Sequence, residues 1–217
     1  MSSPKEQCAT LPETGVEPGV SQGRWRRLSQ AAAATRLMLL ALSLSLSLAL
    51  AAGPATAGLD GLATGEVKDF SVALLPEPAP DVAFIAADGS EMRLADLQGK
   101  VVLLNFWATW CAPCVREMPS LDRLQAELGG EDFEVLAVSV DRGGLKTAGD
   151  FLRKHEIVNL QTASDPRMAM FRALGGKVMP TTLLIGADGK ILGRLEGPAE
   201  WDSPEAKALV RAAVTGQ

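Results

Sequence analysis

Two cysteines separated by two residues, Cys111 and Cys114, are the residues of this sequence best suited to covalent chemistry. An apolar run over 101–107 precedes them, and apolar side chains at helical spacing follow them. Cys111 is therefore predicted at a helix N-terminus, with Cys114 one turn further along the same face. This spacing brings the two Cβ atoms to about 5–6 Å, so that a disulfide can open and close between them.

The helix N-terminus is expected to make the two sulfur atoms differ in reactivity. Its unpaired N–H groups and its macrodipole stabilise an anion by about 0.3–1 kcal/mol, which favours a thiolate at Cys111. Cys111, expected to be exposed at the turn, is therefore predicted as the attacking sulfur and Cys114 as the resolving one. Pro113 suits the first helical turn because its ring fixes φ and carries no N–H group.

The elements that must position this pair alternate between strands and helices. Strands are predicted over 101–107, 133–140, 158–162, 181–185 and 190–195, and helices over 111–128, 145–155, 166–174 and 203–214. Asp-Gly pairs at 88–89 and 188–189 predict two hairpins, the second of which gives an antiparallel edge. Helices between strands imply parallel pairing with right-handed crossovers. The predicted fold is an α/β three-layer sandwich around a central mixed sheet.

Three segments precede the predicted domain over 81–217. Residues 1–36 are predicted to be disordered, and the last part of this segment carries four arginines, Arg24, Arg26, Arg27 and Arg36. The uncharged run 37–52 is 16 residues long, and an Ala-Thr-Ala sequence ends at residue 57, so 37–57 is predicted as a membrane anchor or a cleaved signal peptide. Either assignment leaves the arginines in the cytoplasm and exports the rest. Residues 58–80 are predicted as a linker with a short helix near 66–75.

The cysteine count favours a redox pair. Cys8 precedes the hydrophobic segment, so the exported part holds only Cys111 and Cys114. A structural disulfide is the alternative, but so short a loop stabilises a fold weakly. A zinc site lacks ligands because the only histidine is His155. No metal site and no cofactor are predicted, while a transient copper contact at the dithiol stays open.

The string GKVVLLNFWATWCAPCVREMP, residues 99–119, resembles the membrane-anchored TlpA branch of the thioredoxin superfamily. The likeness continues at VMPT, 178–181, and at GPAEW, 197–201, and covers roughly 76–215. The resemblance implies a thiol:disulfide oxidoreductase with a thioredoxin-like fold. The extra strand and helix between 141 and 175 resemble the insert of TlpA-like proteins.

The same resemblance implies how a client protein docks. Pro180 corresponds to a cis-proline that faces the dithiol, and the backbone of the preceding Met179 pairs with an extended client segment. Trp110 and Thr181 complete the substrate-binding residues that the resemblance implies. Without the family, Pro180 reads as an ordinary loop proline, because cis bonds are only about 5–6% of X-Pro bonds.

Glu117 is the candidate proton-handling group. It follows Cys114 by three residues and so falls on the same side of the predicted helix. The resemblance implies that it works at the active site; the alternative is a solvated carboxylate paired with Arg123. Asn105 stands where thioredoxin carries a buried aspartate, and because an asparagine cannot ionise, the role of base moves to Glu117.

The residues between the cysteines set the predicted redox direction. Ala112 and Pro113 supply no positive charge that would stabilise a thiolate, so the dithiol is predicted to be reducing. The predicted function is a periplasmic thiol:disulfide reductase at the inner membrane, or secreted to the periplasm if the signal is cleaved, supplied by a thiol-type electron donor in the membrane. The resemblance implies clients in cytochrome maturation, namely copper chaperones, the copper-binding subunit of cytochrome oxidase or apocytochrome c.

Two other functions stay open from the sequence. One is a copper or haem delivery module that uses the dithiol as ligands, and the other is a peroxiredoxin-like antioxidant enzyme. Nucleic acid is not a predicted partner, because residues from 58 onward hold 16 Lys and Arg against 23 Asp and Glu, a net charge of −7.

Overall fold

The computed structural model describes residues 58–216. Its strands are β1 (Ser71–Pro78), β2 (Phe84–Ile85), β3 (Glu91–Met92), β4 (Val101–Trp107), β5 (Phe133–Ser139), β6 (Thr162–Ser164), β7 (Thr181–Ile185) and β8 (Lys190–Glu196). Its α-helices are α1 (Ala112–Leu128), α2 (Gly144–Lys154), α3 (Ala169–Ala173) and α4 (Pro204–Thr215). Three 3-10 helices span Asp60–Leu62, Gly65–Val67 and Leu94–Leu97. The predictions for 1–36, for 37–57 and for Cys8 lie outside the described residues.

The strands form one mixed sheet in the order β1-β8-β7-β4-β5-β6-β2-β3. β4, β5 and β6 are parallel, whereas β7 runs antiparallel to both β4 and β8. All seven residues of β4, six of them apolar, are buried, as expected for a strand covered on both faces. The predicted central strand is therefore confirmed, and it ends directly before the cysteine pair.

Helices cover this sheet and complete the predicted three-layer arrangement. α1 packs against β5, α2 against β5 and β6, and α4 against β4. Glu127 of α1 pairs with Lys207 and Arg211 of α4, which joins these two helices. No helix within 58–216 combines the length and the apolar content needed to cross a membrane.

Both predicted hairpins are present. β2 and β3 pair across Asp88-Gly89, and β7 and β8 pair across Asp188-Gly189. The two glycines have φ of +87° and +77°, a backbone conformation that glycine adopts without steric strain. Between 141 and 175, where an extra strand and helix are predicted, the structure has one strand, β6, and two helices, α2 and α3.

The segment 58–80, predicted as a linker, contributes structure to the folded unit. Leu59 and Val67 are fully buried in the core, and β1 pairs antiparallel with β8. The helix predicted near 66–75 is wrong, because only the 3-10 helix Gly65–Val67 forms there before β1 begins. The free edge of β8 accounts for this, since it offers backbone partners to the segment. β1 is consequently the edge strand in place of β8.

Two predicted elements of the insert also differ from the structure. The strand predicted over 158–162 forms later, as β6, because the Asp122 carboxylate accepts hydrogen bonds from the backbone N–H groups of Asn159 and Leu160 and holds them in a loop. The helix predicted over 166–174 is limited to α3. It starts late because the Asp165 carboxylate accepts from the N–H groups of the α3 residues at 169 and 171.

Candidate active site

Cys111 and Cys114 form a disulfide at the N-terminus of α1. Cys111 is the N-cap residue of this helix, and its sulfur accepts a hydrogen bond from the backbone N–H of Cys114 at 3.4 Å. The two Cα atoms are 5.3 Å apart, a separation that is ordinary for a disulfide. The pair is thus placed as expected, between the buried end of β4 and the first turn of α1.

The expected exposure of Cys111 is wrong. Its exposed fraction is 6%, against 0% for Cys114, so both cysteines are buried and only Cys111 reaches the surface. The order of accessibility still favours Cys111 as the sulfur that meets an outside disulfide. Trp110 beside it is 68% exposed, which places a large apolar ring in solvent at the rim of the site.

The Met179–Pro180 bond is cis, as the family resemblance implies. Pro180 is buried, and its carbonyl accepts a hydrogen bond from the N–H of Gly197 at 2.9 Å. Met179 is partly buried and lies just outside the β7 ladder, which begins at Thr181. The backbone pairing of Met179 with a client segment stays a prediction.

The side chain of Thr181 is not placed to contact a client. It is fully buried, and its hydroxyl donates to the carbonyl of Val178 at 2.7 Å. Thr181 therefore orders the loop that carries Pro180. The substrate-binding role of Thr181 stays a prediction, while Val178, whose carbonyl it contacts, is 48% exposed.

Glu117 lies one turn after Cys114 on α1 and is buried, with 1% of its surface exposed. Its Oε1 accepts a hydrogen bond from Asn105 Nδ2 at 2.8 Å. Its Oε2 accepts two more, from the backbone N–H of Ala199 at 3.2 Å and from Trp201 Nε1 at 3.3 Å. The alternative of a solvated carboxylate paired with Arg123 is wrong, since Arg123 instead binds Asp202.

This environment changes the acidity of Glu117. Burial raises the pKa of its carboxyl from the ordinary 4.5 to about 7, against the lowering effect of the three hydrogen bonds. Glu117 also lines a cleft of about 220 Å³, together with Arg116, Glu200 and other residues. The group can therefore gain and lose a proton near neutral pH next to the resolving cysteine.

Sequence reasoning did not assign roles to two residues of this cluster. Trp201 is fully buried, its indole donates to Glu117, and its backbone N–H donates to Ser120 Oγ at 3.0 Å. Asn105 cannot act as an acid or base, but it helps to hold Glu117, the residue predicted to take that role. Its Nδ2 donates hydrogen bonds to both Glu117 and Thr182. The only sequence signal for Trp201 is its place in the GPAEW string, which resembles the TlpA branch.

A metal site is not evident in the described part of the chain. Within 58–216, no group of three or more His, Cys, Asp and Glu side chains is arranged to hold a metal ion.

The fold is an α/β sandwich around a mixed sheet, and its cysteine pair lies at the start of the helix that follows the central strand. These two features define a thioredoxin-fold disulfide-exchange protein. The sequence signature of the Redoxin family matches residues 76–210, and the chain belongs to this family. Two relatives are named thiol-disulfide oxidoreductase ResA. The protein from Bacillus thuringiensis subsp. konkukian is 30% identical over 119 residues, covering 55% of this chain and 68% of the relative. That from Halalkalibacterium halodurans is 33% identical over 124 residues, covering 57% and 69%.

Solved structures agree with this assignment. A protein from Chlorobium tepidum described as a thiol:disulfide interchange protein DsbE superposes with a TM-score of 0.55 at 33% identity, covering 64% of this chain and 96% of that one. A structure from Bacteroides vulgatus described as a thiol-disulfide oxidoreductase gives a TM-score of 0.56 at 30% identity, covering 64% and 97%. The chain is accordingly a TlpA-like member of the thioredoxin superfamily, with thiol:disulfide oxidoreductase activity at Cys111 and Cys114.

Proposed function

We propose that this oxidoreductase works outside the cytoplasm as a membrane-tethered reductase for proteins of cytochrome maturation. The observation that carries the reductase role is the placement of a buried carboxyl, Glu117, one turn from the resolving Cys114, with a pKa of about 7. Such a group can take the proton of Cys114 when that thiol has to attack. Ala112 and Pro113 place no positive charge between the cysteines, which favours the reducing direction.

The reaction proceeds through a mixed disulfide. The thiolate of Cys111 attacks one sulfur of the client disulfide, a bond forms between Cys111 and the client, and the other client sulfur leaves as a thiolate. Cys114 then passes its proton to Glu117 and attacks the sulfur of Cys111. The client leaves reduced, the Cys111–Cys114 disulfide forms, and the cleft beside Glu117 gives the proton a route to solvent.

Compartment and clients are inferred from the sequence. The basic flank and the uncharged run at 37–52 support an inner-membrane protein with a periplasmic domain, or a protein secreted to the periplasm after cleavage. A reductase in that compartment needs electrons from across the membrane, so a membrane thiol donor is part of the proposal. The resemblance to the TlpA branch supports copper chaperones, the copper subunit of cytochrome oxidase or apocytochrome c as clients.

Client trapping tests the proposal on the full chain. Cys114→Ser leaves Cys111 able to attack but removes the sulfur that releases the client, so mixed disulfides should accumulate and vanish on reduction. The Cys111→Ser/Cys114→Ser double variant is the matched control. Trapped copper chaperone, oxidase copper subunit or apocytochrome c supports the proposed clients, and trapped proteins of other classes contradict them. Identical patterns from the variant and its control contradict the reductase.

Two further results separate the alternatives. A membrane-impermeant maleimide should label the reduced Cys111 in intact cells whose outer membrane has been opened, and labelling only after lysis contradicts export. Purified full-length protein that retains one copper or haem per chain, lost in the double variant, would replace the reductase with a delivery module.

A further inference from the structure

Cys111 is carried by a tight turn between β4 and α1. The backbone N–H of Cys111 donates to the carbonyl of Ala108 at 3.1 Å, which closes a four-residue turn with Thr109 and Trp110 at its centre. Trp110 is largely exposed and so contributes little packing that could hold this turn. At the centre of the turn, the position of the backbone that leads into Cys111 therefore depends on what fixes Thr109.

Asp141 fixes Thr109 from the end of β5. Its Oδ1 accepts a hydrogen bond from Thr109 Oγ1 at 2.8 Å, and its Oδ2 accepts from the Thr109 backbone N–H at 3.0 Å. Ser139 Oγ donates to the same Oδ2 at 2.9 Å and braces the carboxylate. Asp141 is only 3% exposed, so these bonds lie in a site of low dielectric, where hydrogen bonds to a charged group are strong.

We propose that Asp141 is a positioning residue of the redox site: by holding the turn 108–111 it keeps Cys111 beside Cys114 and so favours the disulfide over the dithiol. While the disulfide is closed, the bond to Cys114 itself restrains Cys111. Once it opens, the hydrogen bonds that Thr109 donates to Asp141 still restrain the turn. A pre-positioned thiol closes a disulfide at a smaller entropic penalty than a free one.

The direction of the effect follows from the reaction balance. Reduction breaks the bond between Cys111 and Cys114 and adds two electrons and two protons, which dithiothreitol supplies as it becomes a cyclic disulfide. Loosening the turn lets the dithiol relax but leaves the disulfide constrained, so it shifts the equilibrium toward the dithiol. Removing the negative charge of Asp141 acts in the same direction, because an anion beside the turn disfavours a thiolate at Cys111.

Two variants of the full chain test the proposal in dithiothreitol redox buffers. Thr109→Val removes one hydrogen bond and keeps the carboxylate, whereas Asp141→Asn also removes the charge. Thr162→Val is the matched control, because it deletes a buried threonine hydroxyl that donates to Ala137 on the same sheet, away from the turn. We expect the equilibrium between disulfide and dithiol to shift toward the dithiol by about threefold for Thr109→Val and by about tenfold for Asp141→Asn. The tenfold shift corresponds to a change of about 30 mV in the reduction potential. Thr162→Val should leave it unchanged.

A second readout reports the turn directly. In the reduced protein, the backbone amide of residue 109 should exchange its hydrogen about tenfold faster in Thr109→Val than in wild type. The oxidised forms of the two proteins should differ less. Unchanged equilibrium constants in both variants, with equal loss of stability from the oxidised and reduced forms, would overturn the proposal and leave Asp141 a purely structural residue. If Asp141→Asn does not fold, Thr109→Val decides, since two of the three bonds to the carboxylate remain in it. The result is independent of compartment and clients.

Discussion

Replacing Glu117 with glutamine should change how the stability of the protein depends on pH. The buried carboxyl has a pKa of about 7, against 4.5 ordinarily. Glutamine has nearly the same shape and stays neutral. Its amide N–H groups can be accommodated, because Asn105 Oδ1 is buried without a hydrogen-bond partner among the described residues and can accept from the new side chain once the Asn105 amide turns over.

The sign and size of the effect follow from the two pKa values. Because the folded pKa of Glu117 is raised, the folded state binds more protons than the unfolded state between pH 4.5 and 7. Stability from this group is therefore complete below pH 4.5 and is lost as the pH rises to about 7. At about 1.36 kcal/mol per pKa unit, the loss is about 3 kcal/mol. Glu117→Gln has no such loss.

Urea denaturation of the oxidised full-length protein from pH 4 to 8 measures this difference. The free energy of unfolding of Glu117→Gln, minus that of wild type, should rise by about 3 kcal/mol across this range. Glu127→Gln is the control on the same helix. The hydrogen bond from Lys207 lowers the pKa of Glu127, so its contribution is instead lost as the pH falls below 4.5. Parallel curves for wild type and Glu117→Gln would refute the assignment of a raised pKa to Glu117.

Two further substitutions test the cluster and the fold. Trp201→Phe removes the indole donor to the Glu117 carboxylate, so the pKa of Glu117 should rise further, as ¹³C NMR titration of its carboxyl would show; an unchanged or lower value contradicts the donor role of Trp201. Leu104→Ala in the centre of β4 should destabilise the protein by about 2–5 kcal/mol in urea denaturation, because Leu104 is fully buried, whereas Leu74→Ala, at an 89% exposed side chain, should change stability by less than about 0.5 kcal/mol.

Local patterns predicted the centre of the fold. The seven residues of 101–107, six of them apolar, predicted a strand covered on both faces, and the apolar spacing of 115–128 predicted a helix that begins at the cysteines. Asp-Gly pairs located both hairpins, since their backbone preference is local. β1 was missed because its partner, β8, lies more than a hundred residues away in the sequence. The segment also mixes polar and apolar residues without the alternation that would indicate a strand.

In the active site too, local spacing was predicted from the sequence and contacts between distant segments were not. The spacing of Cys111, Cys114 and Glu117 along one helix was readable from the sequence. The partners that make Glu117 unusual were not, because Asn105 reaches it from β4 and Trp201 from the segment before α4, 12 and 84 residues away. Burial of a charged residue is a property of the assembled fold, so helical spacing alone could not distinguish it from a solvated carboxylate.

The reduction potential of the Cys111–Cys114 pair tests the central claim most directly. Full-length protein equilibrated with glutathione and dithiothreitol buffers gives this value from the fraction of dithiol at each ratio. The account predicts a reducing potential, at or below about −200 mV, because no positive charge between the cysteines stabilises the thiolate and the turn at 108–111 favours the disulfide. A value near about −120 mV, typical of strong oxidants, would contradict the proposed role as a reductase.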